Sequence, residues 1–200
     1  MKIDLQLFAS KENEASTQAV DNGVSVQAAS AGTTKETISG KKIIYLYRIL
    51  EKAKEAAGTV LAFTTENERT KSKDADSTAT KDGNIRTPGA SEVEITATSL
   101  LTKGDTFIDD LEEALDKDKL IEIWEVNLEE PGTTPNEGKY KATYFQGYLT
   151  EVDISSNAED MVEVSLTFGI NGSGVKGYAT VSKEQEAVAS YVFKDTVQES

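Results

Sequence analysis

The sequence predicts a mainly β domain, a β-sandwich or barrel with one flanking α-helix, and three observations carry that reading. Segments rich in β-branched and aromatic residues recur along the chain between polar or Gly-containing breaks. One of them, Val162 to Phe168, alternates between apolar and polar positions. A single stretch keeps its apolar residues at helical spacings of three and four. The chain has 200 residues, 38% of them hydrophobic, which suits one substantial core with an appendage.

Residues 1–40 are rich in Ala, Ser, Thr, Gln, Asn and Gly, without a sustained period. Such a segment buries too little surface to offset chain entropy, so a flexible N-terminal arm is expected there, with the folded domain over 41–200. The texture changes at Lys41. Ile43-Ile44-Tyr45-Leu46-Tyr47-Arg48-Ile49-Leu50 reads as a strand, Glu51 to Ala57 as a polar connection, and Thr59-Val60-Leu61-Ala62-Phe63-Thr64 as a second strand. A long loop is expected over 65–90, where charges alternate in sign and nearly cancel. Glu92-Val93-Glu94-Ile95-Thr96-Ala97-Thr98 then has the period of a half-buried strand.

The helix is expected over about 106–118. Asp105 or Thr106 can cap it, and Phe107, Ile108, Leu111, Ala114 and Leu115 share one face. Acidic residues fill its first turns and Lys117 and Lys119 stand at its end, as the helix dipole favours. Strands are expected at Leu120–Leu128, Lys139–Ile154, Met161–Ile170 and Val175–Val181, the last two joined into a hairpin by Asn171-Gly172-Ser173-Gly174. Ser182 and Gln185 form a capping box that opens a short C-terminal helix carrying Val188 and Tyr191.

Composition excludes much chemistry. The chain has no Cys and no His, which removes disulfides, thiolate sites, the usual general base and the commonest metal ligand. Its formal charge of −14 opposes association with nucleic acid. No run of about eighteen apolar residues is present to span a membrane, and the apolar patch in Met1–Ala9 is too short for a secretory signal. Synthesis in the cytoplasm is expected. Asp74-x-Asp76 resembles the start of a calcium loop, but Ala79 and Ile85 stand where that loop needs Gly and Glu. Glu122, Glu125, Glu129 and Glu130 could pair as glycosidase carboxylates; a solvated strand face is the expected reading. Lys71, Lys73 and Lys81 are interleaved with acids that cancel their field on phosphate. No catalytic, cofactor or metal residue is assigned.

From about Gly40 onward the sequence resembles the major tail protein family of Gram-positive siphophages. The resemblance is carried by Leu61-Ala62-Phe63-Thr64-Thr65-Glu66, Ser77-Thr78-Ala79-Thr80-Lys81-Asp82-Gly83, Arg86-Thr87-Pro88-Gly89 and Ile95-Thr96-Ala97-Thr98-Ser99. Further along it rests on Glu122-Ile123-Trp124-Glu125, Tyr144-Phe145-Gln146-Gly147-Tyr148, Asn157-Ala158-Glu159-Asp160, Leu166-Thr167-Phe168-Gly169 and Gly177-Tyr178-Ala179-Thr180. These motifs occur in a shared order over some four-fifths of the chain. The Asp4-Leu5-Gln6-Leu7-Phe8-Ala9 opening departs from the pattern and is similar to the starts of phage capsid proteins.

The resemblance implies a virion tail protein with two packed β-sheets, six copies per ring, and rings stacked into a tube for DNA. It implies that strands pair between neighbouring subunits to leave no free edge. It implies that the 65–90 segment reaches an adjacent ring, with Arg69, Lys71, Lys73, Asp74, Asp76, Lys81 and Asp82 as candidate contacts. The acidic balance suggests a repulsive lumen, for which Glu151, Asp153 and Glu163 are candidates. The expected partners are further copies of the chain, the tape measure protein, the tail terminator and the distal tail protein; DNA passes without specific binding. An acidic decoration or adhesion module of the virion that forms no tube is the rival expectation.

Overall fold

A computed structural model describes residues 36–189, within a compact unit that begins at Thr37. The expected N-terminal arm lies almost wholly outside the described residues, as do Tyr191 and the Val188 side chain. Seven strands and two α-helices follow in the order β1 (Ile43–Ile49), β2 (Thr64–Thr80), β3 (Gly83–Leu100), α1 (Thr106–Asp116), β4 (Ile121–Pro131), β5 (Tyr140–Ser155), β6 (Glu163–Ile170), β7 (Val175–Ala179) and α2 (Lys183–Ala189). All belong to one antiparallel sheet of order β1-β4-β5-β6-β3-β2, with β7 beside β5.

The sheet doubles over on itself because β5 serves two halves. Its residues 140–147 pair with β4, and its residues 147–155 pair with β6, with an irregularity between Leu149 and Glu151. Inside the fold, Tyr47, Ile95, Ile121, Ile123, Phe145, Leu166 and Phe168 meet the buried α1 face of Ile108, Leu111 and Ala114. The fold is therefore a single sheet bent into a sandwich, where two separate sheets were expected, and it does not close as a barrel. A smaller core of Ile44, Leu46, Val126, Ala142 and Val181 lies on the opposite face of β1-β4-β5.

The helix begins as its sequence requires: Asp105 accepts a bond from the Phe107 amide at 2.9 Å. Ser182 and Gln185 bond reciprocally at 3.3 and 3.0 Å, and the Gln185 amide also donates to the Gly58 carbonyl at 2.8 Å.

Three expectations are corrected. The 65–90 segment is a long hairpin, with Thr80 opposite Gly83 across a two-residue Lys81-Asp82 turn. Its strands carry polar residues on both faces, so no apolar alternation marks them. The strand expected at Thr59–Thr64 does not form over 59–63; only Thr59 bridges to Tyr47 before the chain turns at Phe63, whose φ is 48°, and Thr64 opens β2. Leu61 is drawn into the core there, which breaks the extended run. Asn171–Gly174 does not join a hairpin either. It interrupts a path that continues along one edge of β5, from β6 at Gly147–Ser155 to β7 at Tyr140–Tyr144. Gly174 has φ of 77°, and a side chain there would run into the Phe145 ring.

The two ends of the doubled sheet are clasped by side chains alone. Tyr45 donates to Glu125 at 2.7 Å, Arg69 donates to the same carboxylate at 2.6 Å, and Tyr47 donates to Asn67 at 3.0 Å. Burial first, and the Glu125 carboxylate second, push the Tyr45 hydroxyl well above its ordinary value; burial does the same to Tyr47.

Two expectations follow for stability. Leu111 is fully buried, so Leu111→Ala should cost about 2–5 kcal/mol through transfer and cavity terms, read by chemical denaturation. A loss near zero would show that α1 does not pack on the sheet. The raised tyrosine values favour the protonated form in the folded state, so their contribution is complete below the ordinary value of 10.0 and is lost as pH rises beyond it. Tyr45→Phe should cost about 1–3 kcal/mol near neutrality by losing a bond to a carboxylate, and should flatten the decline in melting temperature above about pH 10. An unchanged alkaline slope would count against the clasp.

Candidate assembly surfaces

The uncovered outer face of β2-β3-β6-β5 is uniformly acidic, and strand register puts it there. Across the four strands Glu66 aligns with Thr98, Ser165 and Asp153, and Glu68 with Thr96, Thr167 and Glu151. Glu94 and Glu92 follow opposite Thr70 and Ser72, and Glu163 lies between Leu100 and Ser155. Seven exposed carboxylates therefore share this face with Thr and Ser, and no Lys or Arg joins them. The three candidates Glu151, Asp153 and Glu163 are brought together here. Glu66 and Glu68 fall in the segment expected as a loop, where their spacing by two was the available signal; Glu92 and Glu94 stand on the polar face of the strand expected at 92–98.

The same strands separate charge by sign. On β2 the even positions carry Glu66, Glu68, Asp74 and Asp76, while Arg69, Lys71 and Lys73 occupy odd positions. Arg86 pairs with Ser77 and joins the basic side, whereas Glu92 and Glu94 pair with Ser72 and Thr70 on the acidic side. A hairpin that looked neutral is thus cationic on one face and anionic on the other. Lys81 and Asp82 form its turn, and all these residues except the root Arg69 stand clear of any ion pair among the described residues. Arg69 is held by Glu125 and lies 5.9 Å from the Phe145 ring centre.

Among the described residues, the four-stranded β2-β3-β6-β5 face is open at both of its edges. β2 ends the sheet and has β3 as its sole partner. Residues 148–155 of β5 pair with β6 on one side, while β4 reaches no further than Gly147. Open edges present unpaired backbone donors and acceptors, and monomers usually protect them.

Within the acidic run on β4, Glu122 and Glu125 are not solvated, which corrects the sequence reading for these two, while Glu129 is exposed. Glu122 is buried, accepting from Arg48 and Tyr144 at 2.7 Å each, with Arg48 stacked 5.0 Å from the Trp124 ring centre. The Tyr144 hydroxyl is raised by burial and then by Glu122. Glu125 points to the other face of the strand, so the two carboxylates cannot act as a pair on one substrate.

Comparison with known proteins fits this arrangement of open edges and one polar sheet face. Residues 37–176 match the family model described as phage tail tube protein. A tail protein of Staphylococcus phage phiMR25 is 34% identical over 142 residues, spanning 69% of this chain and 73% of that protein. Among solved structures, the SPP1 tail tube superposes with a TM-score of 0.63 at 19% identity, over 82% of this chain and 95% of that one. A chain of the native gene transfer agent virion gives 0.51 at 10% identity, over 72% and 100%. The chain belongs to the phage tail tube protein family, as a structural component of the virion tail.

Proposed function

We propose that six copies pair edge to edge into a ring and that rings stack into a negatively lined conduit for DNA. The observation that supports this most directly is the four-stranded face with seven carboxylates and no base, bounded by two open edges. In the order β5-β6-β3-β2 every neighbour is antiparallel. An even number of strands lets β2 of one copy meet β5 of the next, also antiparallel, so a ring continues the pattern without a defect. A stagger that sets Thr70 and Ser72 opposite Asp153 and Glu151 keeps like charges apart at the junction. A virion decoration module that never polymerised would have no use for two such edges.

On this reading the acidic face lines the lumen. Duplex phosphates then meet repulsion along the wall and no trapping wells, so DNA passes without specific binding. The β2–β3 hairpin, with Lys71, Lys73, Asp74, Asp76, Lys81 and Asp82, reaches the adjacent ring. Assembly takes place in the host cytoplasm, and the tape measure, tail terminator and distal tail proteins are the further partners.

Two measurements test this. Replacing 74–90 by a two-residue Asn-Gly turn should leave the melting transition of the domain nearly unchanged, because every residue removed is exposed. It should abolish tubes in electron micrographs of purified protein; tubes of normal length would overturn the role of the hairpin. Glu151→Lys with Asp153→Lys should preserve tubes yet slow DNA ejection from virions carrying them. Unchanged ejection from such a lumen would mean that wall charge does not govern passage.

A further inference from the structure

We propose that rings join through a directional, charge-matched contact, in which the cationic face of the β2–β3 hairpin of one copy seats on the β5–β6 end of a copy in the next ring. This rests on the tube reading above and names the partner of its hairpin.

Register puts the two surfaces at opposite ends of the subunit. Thr64, Leu100, Glu163 and Ser155 are aligned at one end of the four-stranded sheet. At the other end, Val93 is the last β3 residue paired to β6, and residues 83–92 run on beyond it. At roughly 3.3 Å per residue the hairpin projects about 30 Å past the sheet. Such a reach matches a contact with another molecule, and among the described residues only Arg69 at its root is engaged by an opposite charge.

The projecting face offers Lys71, Lys73 and Arg86, with Ala75 and Pro88 between them. The receiving end offers the complement. Its connecting segment, residues 155–162, carries Glu159 and Asp160 and no Lys or Arg. The same end exposes large apolar side chains: Phe63 at 67%, Met161 at 72% and Leu101 at 39%. They are neighbours, because the Leu100 amide donates to the Phe63 carbonyl at 3.2 Å and the Leu101 amide to the Val162 carbonyl at 2.9 Å. Apolar groups gathered at one end beside the exposed Glu159 and Asp160 mark a contact surface, since scattered exposure alone would not collect them there.

The second copy is the occupant that charge selects. A head-to-tail contact between unlike ends repeats without closing and so makes a filament. Hairpin against hairpin would bring lysines together, and acidic end against acidic end would bring carboxylates together, so both reversed stackings are repelled. Direction of growth is thereby written into sign.

The test uses the full chain, with assembly followed by sedimentation and electron microscopy at low and high salt. Lys71→Glu with Lys73→Glu should raise the concentration needed for tubes at least about ten-fold, equivalent to about 1.4 kcal/mol. Glu159→Lys with Asp160→Lys should do the same, and the four changes together should restore assembly to within about three-fold of the original chain. All four sites are exposed, so the melting temperature should be unaltered and serves as the folding control. Added salt should weaken tubes of the original chain more than those of either reversed variant. Tubes indifferent to both reversals, or a four-fold variant no better than its parents, would overturn the charge match while leaving the tube reading intact. An original chain that forms no tubes at any salt would overturn both. Loss of tubes on truncating the hairpin, together with indifference to the reversals, would show that it bridges rings by other contacts.

Discussion

The double membership of β5 is the constraint on which the rest depends. One strand of sixteen residues is stitched to β4 and β7 over its first half and to β6 over its second. It can satisfy both only by bending, and the bend turns one sheet into a sandwich whose inner faces share a core with α1. The bend also leaves residues 148–155 without a partner on one side. A compact monomer could cover that edge with a loop. Among the described residues it stays open, and so does β2 at the far end of the sheet, so the hydrogen-bonding capacity that makes the core stable is left unfinished along both edges of the four-stranded face.

The clasp between β2 and β4 completes the geometry without closing it. Glu125 receives both Tyr45 and Arg69, and Tyr47 reaches Asn67. Side-chain bonds hold the sheet's ends together, while the backbone of β2 keeps its outer donors and acceptors available. Backbone pairing across the same gap would have sealed a small barrel and removed an edge from further association.

Much of this was legible in the sequence, and the failures have physical causes. The α1 cap, its buried face and the Ser182–Gln185 box were readable because local chemistry decides them. β4, β5 and β6 were readable because each puts apolar residues on a buried face, and β7 through its β-branched and aromatic residues although it is largely exposed. The 64–91 hairpin was missed since burial is the signal that period-two reading seeks, and this hairpin buries almost nothing. The path of β6 into β7 was missed for another reason: Asn171–Gly174 has the composition of a tight turn, and only packing of Gly174 on Phe145 and the pairing of β7 with β5 show that the chain runs straight on. The family resemblance supplied what pattern could not, namely the expectation that this segment reaches a neighbouring subunit. The acid candidates Glu151, Asp153 and Glu163 were found from alternation in the strands that do bury a face; Glu92 and Glu94 were legible in the same way on β3, whereas Glu66 and Glu68 on β2 were hidden with the hairpin.

Sign segregation on β2 also has a consequence for how this gene can change. Substitutions at even positions alter one surface and substitutions at odd positions the other, so two properties can drift independently along one stretch of codons. Loss or gain of one residue is different in kind. It moves every later side chain to the opposite face at once, presenting lysines where carboxylates stood. Length changes in this hairpin should therefore be inherited in pairs of residues, or singly where a bulge such as the one opposite Asp74 absorbs the odd residue.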